Sequence, residues 1–188
     1  GLGERVPESM VDKWALYKIA QYCDELVDNG YGVKEPRFTC NLVINSRQEA
    51  YKVVADMATI FNGITYWGLG AIVPVQDSPK DPLYLFNNTN VEDGVFSYTS
   101  SSYDTRYNAV NVTWNNPKDQ YKQAVAYVED TDSIAAKGYV NLTSGVAIGC
   151  TSEAQARRYG RWVLYTNGHD TDVVTFTTGA EGAMPRPG

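Results

Sequence analysis

Between Ser46 and Val75 the spacing of hydrophobic positions changes once, and the change predicts a helix followed by a hairpin. Ala50, Val53, Val54, Met57, Ala58 and Phe61 fall at helical spacing and make one face of an amphipathic helix. Ser46 and Glu49 have the spacing of a capping box, in which each side chain satisfies the other residue's backbone N–H. Asn62-Gly63 supplies a left-handed residue to stop the helix. Ile64–Trp67 and Ala71–Val75 then flank Gly68-Leu69-Gly70, which predicts a hairpin. No side chain in this unit has obvious chemistry to perform. It reads as a packing module.

The same reading organises the rest of the chain. A first helix is expected from about Ser9 to Val27, with Ser9 and Asp12 as a capping box and Trp14, Tyr17, Ala20, Cys23 and Leu26 as its apolar stripe. Asp28–Gly32 ends it as a loop. Arg37–Ile44 alternates, with Phe38, Cys40, Leu42 and Ile44 on one face, the pattern of a half-buried strand. Pro79 and Pro82 break the pattern after the hairpin, before a short apolar run at Leu83–Phe86. From Gly94 the texture turns to Tyr, Thr and Val. Strands are expected at Phe96–Ser100, Ala109–Trp114, Gln123–Glu129, Val146–Ile148 and Val173–Gly179. A helix is expected at about 152–164, with Ser152 and Gln155 as its capping box.

The expected fold class is therefore α+β, with a mixed α/β domain over residues 1–92 and a mostly antiparallel β domain over 93–188. In the second domain Phe96–Thr99, Ala109–Thr113 and Val173–Thr177 are expected to pair antiparallel. The late helix is expected to lie on that sheet through Tyr159, Trp162 and Val163.

Composition narrows the function. The 188 residues are 43% hydrophobic and 20% charged, enough to bury a core. An excess of 22 acidic over 16 basic residues argues against a general nucleic-acid binder. No apolar stretch approaches the ~20 residues that span a bilayer. The start, Gly1-Leu2-Gly3-Glu4-Arg5, has neither a signal-peptide pattern nor an initiating Met, which predicts a segment of something longer. Cys23, Cys40 and Cys150 are too scattered for a disulfide framework and are expected as free thiols in a reducing compartment. A Cys23–Cys40 bridge across the Gly30–Gly32 loop is the alternative. The sequons at Asn87, Asn111 and Asn141 matter only in a secreted eukaryotic protein.

Candidate chemistry is sparse. His169 needs a nucleophile and an orienting group before it can act, and it reads as a loop residue beside a helix end. Arg157, Arg158 and Arg161 share a helix, as a phosphate or acidic-partner site or as a solvated face. Glu92-Asp93 and Glu129-Asp130 are sequence neighbours that point apart on a strand, whereas a glycosidase needs carboxylates ~5–10 Å apart across a cleft. The aromatic residues fit carbohydrate stacking or a core, and Trp14, Tyr17, Trp114 and Trp162 sit at buried-looking positions. There is no P-loop, GxGxxG, CxxC or HExxH. No catalytic, cofactor-binding or metal-binding residue is expected.

Met10–Tyr17, Gln21–Asp24, Glu35–Asn41, Phe61–Gly68, Asn90–Gly94, Thr105–Tyr107, Ala147–Thr151, Arg158–Trp162 and Pro185–Gly188 together resemble the tail tip attachment protein J family of lambda-like phages, also called host specificity or central tail fibre proteins. The resemblance runs along essentially the whole chain. It implies a trimeric hub at the tail end, in which mixed α/β domains alternate with antiparallel β-barrel-like domains. It also implies contacts with other tail tip and tape-measure proteins, and assembly in the bacterial host cytoplasm. Receptor recognition would lie in regions outside these residues. The implied function is a structural hub segment without catalysis. The alternative is a carbohydrate-binding or envelope-degrading domain of a tail protein. By this reading the chain alone is monomeric or weakly associated, with an edge strand left unpaired because the strand expected to follow Pro187-Gly188 is missing.

Overall fold

The computed structural model describes residues 7–46, 48–68, 70–78 and 80–187. Helix α1 spans Lys13–Asp24, with Asp12 Oδ1 accepting from the Ala15 N–H at 3.0 Å. It is shorter than expected because Ser9 belongs to a separate 3-10 turn at Glu8–Met10 and Leu26 opens strand β1 (Leu26–Asp28). The Ser9–Asp12 box is therefore replaced by a single aspartate cap. The buried side of α1 is also not the expected stripe. Ile19 faces inward with Ala15 and Tyr22 half-buried, while Trp14 and Tyr17 are exposed.

Strand β1 pairs antiparallel with β2 (Lys34–Pro36), and the Asn29 side chain organises the loop by accepting from the Tyr31 and Val33 N–H groups. Helix α2 spans Ala50–Ala58, and Asn62 after it is left-handed at φ 54°. Strands β3 (Gly63–Gly68) and β4 (Ala71–Gln76) form the expected antiparallel hairpin. The Ser46–Glu49 box does not form: Glu49 makes no side-chain cap, and Ser46 Oγ instead accepts from Gln48 Nε2. Residues 37–44 are not a strand. The Arg37 and Phe38 N–H groups donate to Glu25 and Cys23 carbonyls, and no strand lies alongside the segment among the described residues.

The main core lies in the second half. Strand β6 (Ala109–Asn116) is central, flanked antiparallel by β7 (Lys122–Glu129) and parallel by β8 (Leu142–Val146). Val110, Val112 and Trp114 face one side of β6, and opposite them on β7 stand Val128, Ala126 and Ala124. Helix α4 (Glu153–His169) covers this face with Ala156 and Leu164, assisted by Tyr159 and Val163. Gly160 lets it come close. A Cβ there would stand 2.8 Å from Val128 Cγ2 and 3.1 Å from both Val128 Cβ and Val112 Cγ2. Gly160→Ala is thus expected to destabilise by about 1–3 kcal/mol through overpacking, despite alanine's better helix propensity. Thermal unfolding of the variant checks this; an increase in melting temperature would show that the helix can back away at no cost.

Helix α3 (Thr131–Lys137), between β7 and β8, was not anticipated; Asp130 caps it and left-handed Gly138 ends it. Asn108 is fully buried beside the next turn, donating to the Tyr139 carbonyl and accepting from the Asn141 N–H. The short strand expected at Val146–Ile148 begins earlier, at Leu142. Strand β5 (Ser97–Ser100) pairs antiparallel with β9 (Asp172–Thr175), but in a ribbon of their own, separate from β6. The fold is α+β as expected, and no closed barrel occurs among the described residues. The reason is in the pairing: β7 and β8 each have a single neighbour, so the sheet has two open edges.

Candidate functional site

The start of α4 is where chemistry-bearing side chains converge. Ser152 Oγ caps the helix by accepting from the Gln155 N–H at 3.3 Å. The other half of the expected box is absent, because the Gln155 side chain is occupied elsewhere. Its Oε1 accepts from the Thr39 N–H at 3.0 Å and from the Thr39 hydroxyl at 2.9 Å, while its Nε2 donates to the Thr39 carbonyl at 3.0 Å. Beside it, Glu35 accepts from Ser152 Oγ and pairs with Arg158 at 2.8 Å. Arg158 also donates to the Arg37 carbonyl. Asn41 completes the joint through its N–H to the Gly149 carbonyl and its Nδ2 to Thr151 Oγ1. This is a polar junction that ties residues 35–41 to the last helix.

The sequence did not disclose it. A glutamine three residues after a serine at a helix start satisfies the capping pattern whether or not it caps. Glu35 lies in a short strand whose partner helix is more than a hundred residues away. The remaining expected sites fall apart in space. Arg157 pairs with Glu153, Arg158 with Glu35, and Arg161 is exposed, so the three guanidiniums do not form one site. The Glu153 carboxylate at its side chain raises the Arg157 pKa further. Glu92 and Asp93 occupy an exposed turn in which Asp93 is left-handed at φ 56°, and Asp130 is engaged as the cap of α3. Glu129 hydrogen-bonds Tyr127 and pushes its phenol pKa up. His169 stacks on Tyr165 with its Nδ1 2.9 Å from the Tyr165 carbonyl, at the exposed end of α4. Trp162 does not enter the sheet core; its indole N–H donates to Asp77 Oδ2 at 2.7 Å, across to the hairpin. A groove of about 580 Å³ opens there between the hairpin and α4, lined by Ile64, Val75, Gln76, Asp77, Tyr159 and Trp162. No cluster of three or more His, Cys, Asp or Glu suited to a metal occurs among the described residues.

The three cysteines are free thiols. Burial pushes the Cys150 pKa up, and burial followed by the Asp24 charge does the same to Cys23. Both groups are neutral when protonated, so their contribution to stability is present below the ordinary thiol pKa and lost as the pH rises through the shifted values. Alkylation of the native chain is expected to modify exposed Cys40 first, Cys23 more slowly and Cys150 last, read by mass spectrometry of a time course. Early modification of Cys150 would contradict the packing at the head of α4.

Residues 49–188 match the phage tail protein family, Phage-tail_3. The chain belongs to the phage tail protein family. The Tip attachment protein J of Escherichia phage SECphi27 is 43% identical over 188 residues, covering all of this chain and 16% of that protein. The protein of the same name from Escherichia phage SECphi4 is 39% identical over 189 residues, again covering the whole chain and 16% of its own length. The chain therefore spans 16% of the length of these curated relatives. Both similarities cover the whole of this phage tail chain, the region of Glu35, Gln155 and Arg158 included.

Proposed function

We propose that this chain is a structural segment of a phage tail tip, acting as part of a host specificity hub and carrying out no catalysis of its own. The observation that carries the reading is the identity to two tip attachment proteins along the whole chain. The residues fit a mechanical role. Glu35, Ser152, Gln155 and Arg158 tie residues 35–41 to α4, and the groove of about 580 Å³ is bordered by a tryptophan–aspartate bond that joins two elements. In this reading the longer protein is a homotrimer that meets other tail tip and tape-measure proteins. It reaches the host outer-membrane receptor through regions outside these residues, and it is assembled in the host cytoplasm. Support for buried interfaces comes from apolar side chains left in solvent, including Trp14, Val43, Leu83 and Leu85 at 69–83% exposure.

The reading retains two parts, residues 1–92 and 93–188. The main apolar core draws only on residues 110–164, whereas the junction at the head of α4 joins the parts through polar groups. The functional test is genetic. A stop codon within this chain in the phage genome is expected to give particles without functional tails, restored by the intact gene supplied in trans. Normal infectious tails despite the stop codon would sink the proposal.

A further inference from the structure

Residues 37–44 carry the alternation of a strand without a strand beside them. What holds them instead is a side chain. The Gln155 amide takes both the N–H and the C=O of Thr39, as the backbone of a neighbouring strand would, and Gln155 is only 4% exposed. Two residues on, the Asn41 N–H donates to the Gly149 carbonyl at 2.8 Å. The bonds from positions 39 and 41, to the Gln155 side chain and to the Gly149 carbonyl, have the i, i+2 spacing of bonds along one edge of a strand. That edge is satisfied by α4 and the loop before it.

The opposite edge is open. Cys40, Leu42 and Ile44, which alternate with the bonded positions and so face it, make no backbone hydrogen bond among the described residues, and neither does Val43 between them. Their side chains are exposed as well, Val43 at 83%. An unpaired, exposed, apolar edge is a template for another strand. Two hollows flank it. One of about 210 Å³ is lined by Leu42, Ile44, Val53, Asp56 and Ile148, and a nearly wholly apolar one of about 390 Å³ is lined by Phe38, Cys40, Val54, Met57 and Phe61. A strand added at such an edge bonds through its main chain and places alternate side chains in the neighbouring hollows.

We infer that the free edge of residues 40–44 is a strand-docking site whose occupant is an extended, uncharged segment with apolar residues at alternate positions, supplied by the longer polypeptide. The relatives provide the reason for that occupant: all of this chain corresponds to 16% of their length, so most of the polypeptide lies outside it. The inference rests on the tail-tip reading only in taking the chain to be part of such a protein. The two fail separately. Loss of the tail location with a paired edge retained would sink the first and leave the second.

The test is hydrogen–deuterium exchange by mass spectrometry, on the 188-residue chain alone and on the same residues within the longer polypeptide. Amides at 40, 42 and 44 are expected to exchange roughly tenfold or more slowly in the longer protein. Those of Thr39 and Asn41, already bonded, are expected to be protected in both. Cys40 alkylation is expected to slow in parallel. Equal exchange at 40–44 in the two proteins would overturn the inference. So would protection that appears in the isolated chain as its concentration rises, which would make a second copy the occupant.

Discussion

Trp114→Ala is expected to cost about 3–5 kcal/mol of stability, the range for deleting a large aromatic side chain from a core. Trp114 is only 8% exposed and stands opposite Ala124 on β7, so a small neighbour cannot fill the space it leaves. The strand around it is fixed from the other side as well, through the Asn115 N–H to the Cys150 carbonyl at 3.0 Å. Neither strand is free to collapse inward. Denaturant unfolding followed by far-ultraviolet circular dichroism checks the figure, and a loss below about 1 kcal/mol would place Trp114 outside the core.

Gln155→Ala is expected to cost about 2–4 kcal/mol, because it removes three hydrogen bonds and leaves the Thr39 N–H and C=O without partners in a half-buried place. Gln155→Glu separates the contributions. A carboxylate still accepts from the Thr39 N–H and hydroxyl but cannot donate to its carbonyl, and it places a second negative charge near Glu35 beside the same cap. At neutral pH it is therefore expected to destabilise at least as much as alanine, because a nearly buried carboxylate faces the Thr39 carbonyl, with the loss easing as acid neutralises it. The accompanying readout is faster amide exchange across residues 37–41 in the alanine variant. If exchange there stayed unchanged, the glutamine would not be what positions the segment.

These two residues also mark how far the sequence could be read. Trp114 was legible because alternation along β6 is a local signal, and the partner strand follows directly after Asn116-Pro117. The unit from α2 through the β3–β4 hairpin was legible for the same reason, down to the left-handed Asn62. Gln155 was misread as half of a capping box because the pattern reports spacing and not where a side chain turns. Residues 37–44 were misread as a strand because period-two alternation shows that a segment suits a sheet, and cannot show that a neighbour is present. Nor does local pattern reveal long-range pairing. The β5–β9 ribbon joins Ser97 to Thr175, and the parallel β6–β8 pair depends on the short, weakly apolar helix α3 that carries the chain between β7 and β8.

Trp162 shows a different limit. Helical spacing correctly put it near the face of α4 that packs, but not every position on that face enters the sheet core. Tyr159 lies over Gly145 of β8 and packs against the core, while Trp162, its ring 5.9 Å from that of Tyr159, reaches Asp77 of the neighbouring segment. The closest approach of α4 to the sheet is at the small residues Gly160 and Ala156, beside Val112 and Val128, and Trp162 lies off that line of contact.

The proposed place of this chain is the tip of a phage tail. Immunogold electron microscopy of intact particles, with antibodies raised against the 188-residue chain, tests it most directly. Gold is expected at the distal end of the tail, with loss of that label from particles whose gene carries a stop codon in this region. Label along the tail shaft or on the capsid, or none on particles shown by mass spectrometry to contain the chain in exposed form, would contradict it.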